Sequence, residues 1–200
     1  MKIKLIIPAI AVMFFAGCSS SLITHSWKSD TIIAPAYKKI MVVGLIRYND
    51  RSLREKMETH MTGDLSRKGY TAIASLEEYG PKSFENMKEE EAISKLHTSG
   101  IDAVVTIVLL HKRKERNYTP PRANGNFWMY YTDIASQVYT TGYYNVETKY
   151  FWESNFYDLA SGKLIYSVQT ESFDPNSAES MGHEYGKMIV ADMAKKGIIK

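Results

Sequence analysis

Residues 38–46 of the chain read KKIMVVGLI, and residues 101–110 read IDAVVTIVLL. Both segments are continuous apolar runs rich in β-branched residues, a pattern typical of strands that are covered on both faces of a sheet. A shorter strand-like segment, 70–75, lies between them, with helical signals before and after it. This order of strand, helix, strand, helix and strand predicts a sheet that is parallel in its first half, with right-handed crossovers.

The helix after the first strand is predicted from its apolar spacing and its end signals. Ser52 and Glu55 fit a capping box at its start, and Gly69 fits its end. Apolar residues recur every four positions along one face: Leu53, Met57, Met61 and Leu65. We therefore expect this helix to pack on the sheet.

Two charged residues on this helix have two interpretations. Arg54 and Glu58 are four apart, so we expect an exposed surface pair that contributes about 0.2–0.5 kcal/mol. The alternative is that Arg54 and Arg51 gather at the carboxyl edge of the first strand, where parallel sheets usually bind ligands, and hold an anion there.

The second half of the chain has antiparallel character. Residues 143–158 and 163–173 are strand-like and are joined by a short hairpin loop. Asp174 and Pro175 predict the start of a last helix. The pattern as a whole predicts one α/β domain over residues 38–200, with α+β character in its second half: a mixed sheet, parallel first and then an antiparallel hairpin, with helices packed on it.

Cys18 is the only cysteine of the 200 residues, and it directly follows a short apolar segment. Residues 1–4 carry two lysines, and residues 5–15 are almost wholly apolar but shorter than the roughly 20 residues of a transmembrane helix. The pattern resembles a bacterial lipoprotein export signal, which implies that residues 1–17 are a signal peptide and that Cys18 is acylated. The alternative is a secreted protein with an incidental cysteine.

This resemblance also implies a location. An acylated Cys18 would attach the protein to the lipid bilayer without a second anchor, because two or three acyl chains together bind almost indefinitely. Ser19 stands where many inner-membrane lipoproteins have aspartate, so we expect the outer membrane and a domain facing the periplasm. Residues 18–37 are predicted to be an acylated tether, about 25 Å long as a flexible coil, whose apolar residues pack partly on the domain.

Charge and length exclude some classes of protein. Removing residues 1–17 from the 200 leaves 183, enough for one domain that buries about 70 % of its unfolded surface. The mature chain has a formal net charge of +1, because two of the 25 basic residues leave with the signal and 22 acidic residues remain. A general nucleic-acid binder has a stronger basic bias, so we expect no nucleic-acid partner.

Several short segments of the mature chain together carry a family resemblance. They are residues 24–27, the run KKIMVVGL, Arg51 and Arg54 with Glu58, Gly69, Ser75 and the hairpin YDLASGKLIY. In these segments the chain resembles an uncharacterised family of bacterial lipoproteins with a domain of unknown function. The order of its elements is also similar to the amino-terminal domain of the translocation protein TolB and to related envelope lipoproteins. These resemblances imply a periplasmic binding or assembly role and bring no catalytic residues.

Aromatic side chains are dense from residue 118 to residue 157. Residues 118–142 lack clean periodicity and are predicted to form a long aromatic loop or lid. Tyrosine and tryptophan offer a large, stiff contact area with a polar tip, which suits a protein partner or the face of a sugar. The alternative is that half of the aromatics between residues 143 and 157 belong to the sheet core. The candidate binding residues are Phe127, Trp128, Tyr130 and Tyr131.

Residues 111–116 read HKRKER and directly follow a predicted buried strand. Such a cluster is suited to contact anionic lipid headgroups or lipopolysaccharide phosphates. The alternative is a solvated extension of the strand that protects a sheet edge. The candidate residues for contact with an anionic surface are Lys112, Arg113, Lys114 and Arg116.

Enzyme signatures are poor in this chain. His183 and Glu184 begin like a zinc-binding helix motif, but residue 187 is lysine where the second ligand would stand. We expect no metal, no cofactor and no catalytic residue. The remaining alternative is a cell-envelope glycan hydrolase that uses paired carboxylates near the aromatic lid, from residues 77–78 or 89–91.

The sequence therefore predicts an outer-membrane-anchored periplasmic lipoprotein that acts as a non-catalytic binding or assembly module of the cell envelope. Its candidate partners are an envelope protein or peptidoglycan. A purely structural spacer is a third interpretation.

Overall fold

The computed structural model describes residues 20–31, 36–82, 84–117, 128, 131–132 and 145–200. A short 3₁₀ helix, Tyr48–Asp50, precedes the first α-helix. The strands and α-helices follow one another in the order β1 (Ser21–Lys28), β2 (Lys39–Leu45), α1 (Arg51–Arg67), β3 (Thr71–Ala74), α2 (Ser75–Tyr79), α3 (Glu89–Thr98), β4 (Ala103–Asn117), β5 (Asn145–Asp158), β6 (Lys163–Phe173) and α4 (Ala178–Lys195).

The six strands form one mixed sheet in the order β1-β6-β5-β4-β2-β3. The second strand pairs in parallel with both β3 and β4, and the remaining pairs are antiparallel. The predicted fold class is confirmed: the first half of the chain forms the parallel part, and β5 with β6 forms an antiparallel hairpin. The pairing is parallel because α1 and α3 each return the chain to the end of the sheet at which the preceding strand began.

The strand β1 lies in a segment, residues 18–37, for which the sequence predicts a tether. It pairs along β6 from Ser21 opposite Ser172 to Lys28 opposite Tyr166. The register shifts between Ile23 and His25, so the extra residue of a bulge interrupts the alternation of inward and outward side chains. This interruption explains why the sequence pattern does not reveal the strand.

The main core lies between one face of the sheet, here called the inner face, and the helices α1 and α4. Its largest fully buried side chains include Trp152, Phe156, Tyr166 and Tyr185. A smaller cluster covers the opposite face of β2 and β4, where Leu96 of α3 packs with Met41, Val43, Ile101 and Val104. The alternative interpretation of the aromatics in β5 is confirmed for Trp152 and Phe156, which are core residues.

Close packing of α1 against α4 depends on two glycines. A Cβ atom on Gly182 would lie 2.9 Å from the Lys56 carbonyl oxygen, and one on Gly186 would lie 2.7 Å from Asp64 Oδ2. Both distances are shorter than van der Waals contact, so the two helix backbones approach closely only because these residues lack side chains.

Both predicted helix starts are wrong in detail. Helix α1 begins at Arg51, and its N-cap residue, Asp50, makes no side-chain capping bond, so Ser52 lies within the helix. Helix α4 begins three residues later than Asp174 and Pro175 predict, because the Asp174 amide donates to the Thr148 carbonyl (2.9 Å) and holds the turn against β5. The N-cap of α4 is Ser177.

Within the residues that the structure describes, no helix is both long enough and apolar enough to cross a bilayer. The predicted signal peptide and Cys18 lie outside the described residues.

Candidate functional site

The outer sheet face is the face of β1, β6 and β5 opposite the helices α1 and α4. Directly paired residues on neighbouring strands place their side chains on the same face. Trp27 pairs with Ser167, which pairs with Asn155, and these three residues form the first row of this face. The Trp27 side chain is 43 % exposed.

Two further rows follow toward the start of β1. The second row holds three polar side chains: His25, Gln169 and Glu153. The third row consists of Leu22, Glu171, Phe151 and His111, the last of these from β4.

The rings of His111 and Phe151 stack with their centroids 4.1 Å apart and an interplanar angle of 12°. The Arg113 guanidinium carbon lies 5.5 Å from the centre of the Phe151 ring. Rows one and three are four residues apart along a strand, about 13 Å. The outer sheet face therefore has aromatic surfaces at both ends and polar side chains between them.

The polar middle of this face is organised around Glu153. Its carboxylate accepts hydrogen bonds from Asn155 Nδ2 (2.9 Å) and Gln169 Nε2 (3.1 Å). The Asn155 Oδ1 atom is buried and has no hydrogen-bond partner among the described residues. Buried amide oxygens are normally paired, so this atom is an exception within the polar middle of the face. The prediction from sequence does not include this face, because its residues come from three strands.

The predicted aromatic loop is described only in part. Trp128 and Tyr131 are 64 % and 50 % exposed, and their rings stack with centroids 5.6 Å apart. Both residues are helical, and Thr132 Oγ1 donates to the Trp128 carbonyl oxygen (2.9 Å). Phe127 and Tyr130 lie outside the described residues, so the four-residue binding site stays a prediction.

The basic run is part of β4, which continues through it as far as Asn117. Lys112 Nζ contacts Asp50 Oδ1 at 2.8 Å, and the side chain of Lys114 is exposed. Arg113 and Lys149 both contact the carboxylate of Glu115. The hydrogen bond from Lys149 and the neighbouring arginine lower the pKa of Glu115, so this carboxylate is charged at neutral pH.

Three of the four predicted contact residues in this run are therefore described, and the side chain of Arg116 lies outside the description. The run is a strand extension, as the alternative interpretation predicts, but it pairs with β5 instead of forming a free edge.

The predicted pairing of Arg54 with Glu58 is confirmed, but its predicted exposure is wrong, because Glu58 is completely buried. Its Oε1 atom accepts from Arg54 Nε (2.8 Å) and from the Gly44 amide (2.8 Å), and its Oε2 atom accepts from the Leu76 amide (2.7 Å). Ser75 Oγ also donates to Oε1 (3.1 Å). The carboxylate thus joins α1 to the carboxyl edges of β2 and β3.

The Arg54 guanidinium is occupied in the same cluster. Its Nη2 atom donates to Ser75 Oγ and its Nη1 atom to the Pro81 carbonyl oxygen, both at 3.1 Å. The alternative interpretation, in which Arg51 and Arg54 together bind an anion, is therefore wrong. The guanidinium of Arg54 is already hydrogen-bonded to internal partners. A cavity of about 390 Å³ beside this cluster is lined by Arg51, Glu55, Glu58, Thr59, Ala74, Leu76 and Glu77.

The carboxylates of the hydrolase alternative lie in two separate elements. Glu77 is in α2 and lines this cavity, whereas residues 89–91 form the first turn of α3. Within the described part of the chain, no group of three histidine, cysteine or acidic residues is placed to hold a metal ion.

A second cavity, of about 810 Å³, lies along the junction of α1 and α4. His60 and His183 meet there edge to face with centroids 5.6 Å apart, and His60 Nε2 lies 2.7 Å from Glu179 Oε1. Glu184, which with His183 begins like a zinc motif, instead accepts hydrogen bonds from the amide (3.0 Å) and hydroxyl (2.8 Å) of Ser20. This contact ties the start of the described chain to α4.

No protein-family model matches the chain, and no curated protein is significantly similar to it. Solved structures similar to this chain include the PelC dodecamer from Paraburkholderia phytofirmans, with 8 % identity, a TM-score of 0.46 and coverage of 90 % of this chain and 99 % of that chain. Lipoprotein GNA1162 from Neisseria meningitidis has 16 % identity, a TM-score of 0.43 and coverage of 80 % and 99 %.

A PDZ domain protein from Parabacteroides distasonis has 11 % identity and a TM-score of 0.43, and the match covers 90 % of this chain and 37 % of that chain. The similarity to TolB and to the uncharacterised lipoprotein family stays a prediction. With TM-scores below 0.5, these three matches identify no family for this chain.

Proposed function

We propose that this protein is an outer-membrane-anchored periplasmic lipoprotein and that its outer sheet face binds an envelope glycan without catalysis. Glycan binding is supported by the arrangement of side chains on that face. Trp27 lies at one end, the stacked rings of His111 and Phe151 lie at the other, and hydrogen-bonding side chains lie between them. Acylation of Cys18 supplies the anchor.

A glycan fits this surface for chemical reasons. Sugar rings present C–H groups on their faces, which pack on aromatic rings, and hydroxyls at their edges, which pair with carboxylates and amides. Glu153, Gln169 and Asn155 provide both donors and acceptors within one patch. A site on the face of a sheet also leaves both ends of a bound chain free, as a polymeric ligand requires.

Binding is tested by titration calorimetry of the protein with soluble peptidoglycan fragments. Trp27→Ala and Gln169→Ala are each expected to weaken binding at least tenfold. A tryptophan often carries a large share of the binding energy of an interface, and loss of Gln169 leaves a ligand hydroxyl without its hydrogen-bond partner. The matched control is Thr59→Ala, an exposed and uncharged residue of α1, which packs on the opposite face of the sheet. Unchanged affinity in both test variants would exclude the outer sheet face as the binding site.

The aromatic loop is a second candidate because Trp128 and Tyr131 form an exposed stacked pair. Loss of binding in Trp128→Ala and Tyr131→Ala, with binding retained in Trp27→Ala, would assign the ligand to the loop. Release of shortened glycan products during the titration would instead support the hydrolase alternative.

The anchor is tested by the intact mass of the protein recovered from cell membranes. We expect Cys18 as the first residue, carrying a diacylglyceryl group and an amide-linked acyl chain. Cys18→Ser should release the protein from the membrane fraction. An unmodified thiol, or unchanged location of the variant, would contradict the anchor.

A further inference from the structure

The predicted acylation point and the basic run of β4 lie at the same end of the sheet. Ser21 pairs with Ser172, Ser172 with Tyr150, and Tyr150 with Lys112. These four residues form one row across β1, β6, β5 and β4, about 14 Å wide at a spacing of about 4.8 Å between strands. Cys18 is three residues before Ser21 in the chain.

The segment that precedes Ser21 and the segment that follows Lys112 leave this row toward the same end of the sheet. Each of the three strand pairs is antiparallel, so the segment before β1 and the segment after Lys112 point the same way. At this end of the sheet β4 and β5 continue past the last residue of β6 as a two-stranded extension. We name residues 111–117 and 145–149, which include this extension and the residues just before it, the basic ribbon. Its outer pair, Asn117 and Asn145, lies five residues past Lys112, about 17 Å beyond the row.

Positive charge is concentrated in the basic ribbon. It contains five basic and two acidic residues, a formal net charge of +3, whereas the mature chain as a whole is +1. The rest of the mature chain is therefore −2. Arg113 and Lys149 share the single carboxylate of Glu115, and Lys114 is exposed with no ion-pair partner among the described residues. The ribbon thus keeps a surplus of positive charge after its own ion pairs are counted.

A short connection holds this end of the domain near the acylation point. Ser20 donates two hydrogen bonds to Glu184 of α4, which fixes the chain two residues after Cys18. Two fully extended residues reach at most about 7 Å. An acyl group on Cys18 would therefore bring the row that contains Ser21 and Lys112 close to the headgroups of the bilayer.

We propose that the basic ribbon lies on the bilayer that holds the acylated Cys18 and binds anionic phospholipid headgroups. This proposal rests on the acylation part of the proposed function. The ribbon sets the orientation of the domain: the end with Ser21 faces the membrane, and the β5–β6 turn at residues 159–162 points away from it. Each basic residue near an anionic surface strengthens the contact about fivefold, and the contact weakens as salt screens the charges.

The experiment uses the full acylated protein in phospholipid vesicles that carry a quencher on some headgroups. Because acylation blocks the only native thiol, Thr148→Cys places a single fluorophore on the ribbon without removing a charge. Ala160→Cys, an exposed position in the β5–β6 turn, is the matched control at the opposite end of the sheet. The vesicles contain either phosphatidylcholine alone or phosphatidylcholine with phosphatidylglycerol.

With phosphatidylglycerol present, we expect the fluorophore at residue 148 to be quenched several times more strongly than the one at residue 160. Raising the salt concentration tenfold, or introducing Arg113→Glu with Lys114→Glu, should remove most of this difference. The control variant, Lys163→Glu with Lys195→Glu, makes the same change in net charge at the end of the sheet that contains the β5–β6 turn. It should leave the difference in quenching between residues 148 and 160 intact. Equal quenching at both positions, or a difference that is insensitive to salt and charge reversal, would overturn the proposal.

Failure of the anchor gives a different result from failure of the ribbon. A protein without acyl chains would not float with vesicles of phosphatidylcholine alone, which contradicts the proposed anchor. The ribbon is then judged by flotation with phosphatidylglycerol vesicles: salt-sensitive binding that Arg113→Glu with Lys114→Glu abolishes supports it, and absence of such binding overturns it. Unchanged thermal unfolding of the charge-reversed variant controls for its folding.

Discussion

Replacing Glu58 with alanine should destabilise the protein more than any other single change to a charged residue that the structure explains. The carboxylate is fully buried and accepts hydrogen bonds from the Gly44 and Leu76 amides, from Ser75 and from Arg54. In Glu58→Ala the two amides lose their acceptor, at about 1–3 kcal/mol each when they stay buried. The Arg54 guanidinium also loses its counter-charge.

Water reduces the loss to some extent. The Arg54 side chain is 12 % exposed, and the cavity of about 390 Å³ beside the cluster can admit water to the space left by the carboxylate. Breaking a buried ion pair by removing one partner costs about 3–5 kcal/mol, and we expect the lower half of that range. For a domain of this size, 3 kcal/mol lowers the midpoint of thermal unfolding by roughly 6–12 °C.

The measurement is equilibrium unfolding in urea, with the free energy and its urea dependence fitted together. Glu58→Gln keeps the volume but presents a donor to one of the amides, so it should lose less than the alanine variant. The matched control is Glu55→Ala, on the same helix and lining the same cavity, which should change stability by less than about 0.5 kcal/mol. A loss below 1 kcal/mol in Glu58→Ala, with unchanged urea dependence, would refute the assigned role of this cluster.

Three further predictions concern packing, pH and helix capping. Gly186→Ala should cost about 1–3 kcal/mol in urea unfolding because its Cβ would overlap Asp64 Oδ2, whereas Gly63→Ala, whose nearest contact is at 3.6 Å, should be neutral or stabilising by up to about 1 kcal/mol. Burial raises the pKa of the Tyr37 hydroxyl, which has no hydrogen-bond partner among the described residues. The folded state then keeps this proton longer than the unfolded state, so stability is retained at neutral pH and falls above about pH 10. In Tyr37→Phe we expect stability to fall less steeply with pH, as measured by urea unfolding from pH 8 to 11. At pH 7 the stability of this variant should be within about 0.5 kcal/mol of the native protein. An unchanged dependence of stability on pH would contradict this prediction. Ser177→Ala should lower the free energy of unfolding by about 1 kcal/mol, because the Ser177 hydroxyl accepts from the Ser180 amide (3.0 Å). Ser52→Ala should lower it by less than about 0.5 kcal/mol, because Ser52 lies within α1 and is not its N-cap. The opposite order of stability in thermal unfolding would favour the capping box predicted from sequence.

The outer sheet face illustrates why site residues were harder to predict than strands. Trp27, Phe151 and Gln169 are separated by up to 142 positions in the sequence and meet only through the pairing of β1 with β6 and β6 with β5. Strand β1 itself is obscured by its bulge. The signals that were predicted to mark a site, dense aromatics and a basic run, are local features of composition, and such features do not report which strands become neighbours.

Glu58 shows the same limit for a single side chain. Its spacing from Arg54 fits an exposed helical pair and a buried one equally well, because helix periodicity fixes the distance between two residues and not their surroundings. The burial follows from Gly44, whose missing side chain lets α1 lie against β2: a Cβ atom there would be 2.9 Å from Glu58 Oε1.

The sequence by itself determined the helices and strands of the central α/β unit, because apolar runs and four-residue spacing encode the faces that must leave water. It also supplied the pattern from which acylation of Cys18 is proposed. Tertiary structure alone decided the strand order, the burial of Glu58 and the placement of the basic ribbon at the same end of the sheet as Ser21. These features depend on hydrogen-bond register between strands distant in the chain, and a local pattern of side chains does not contain that register.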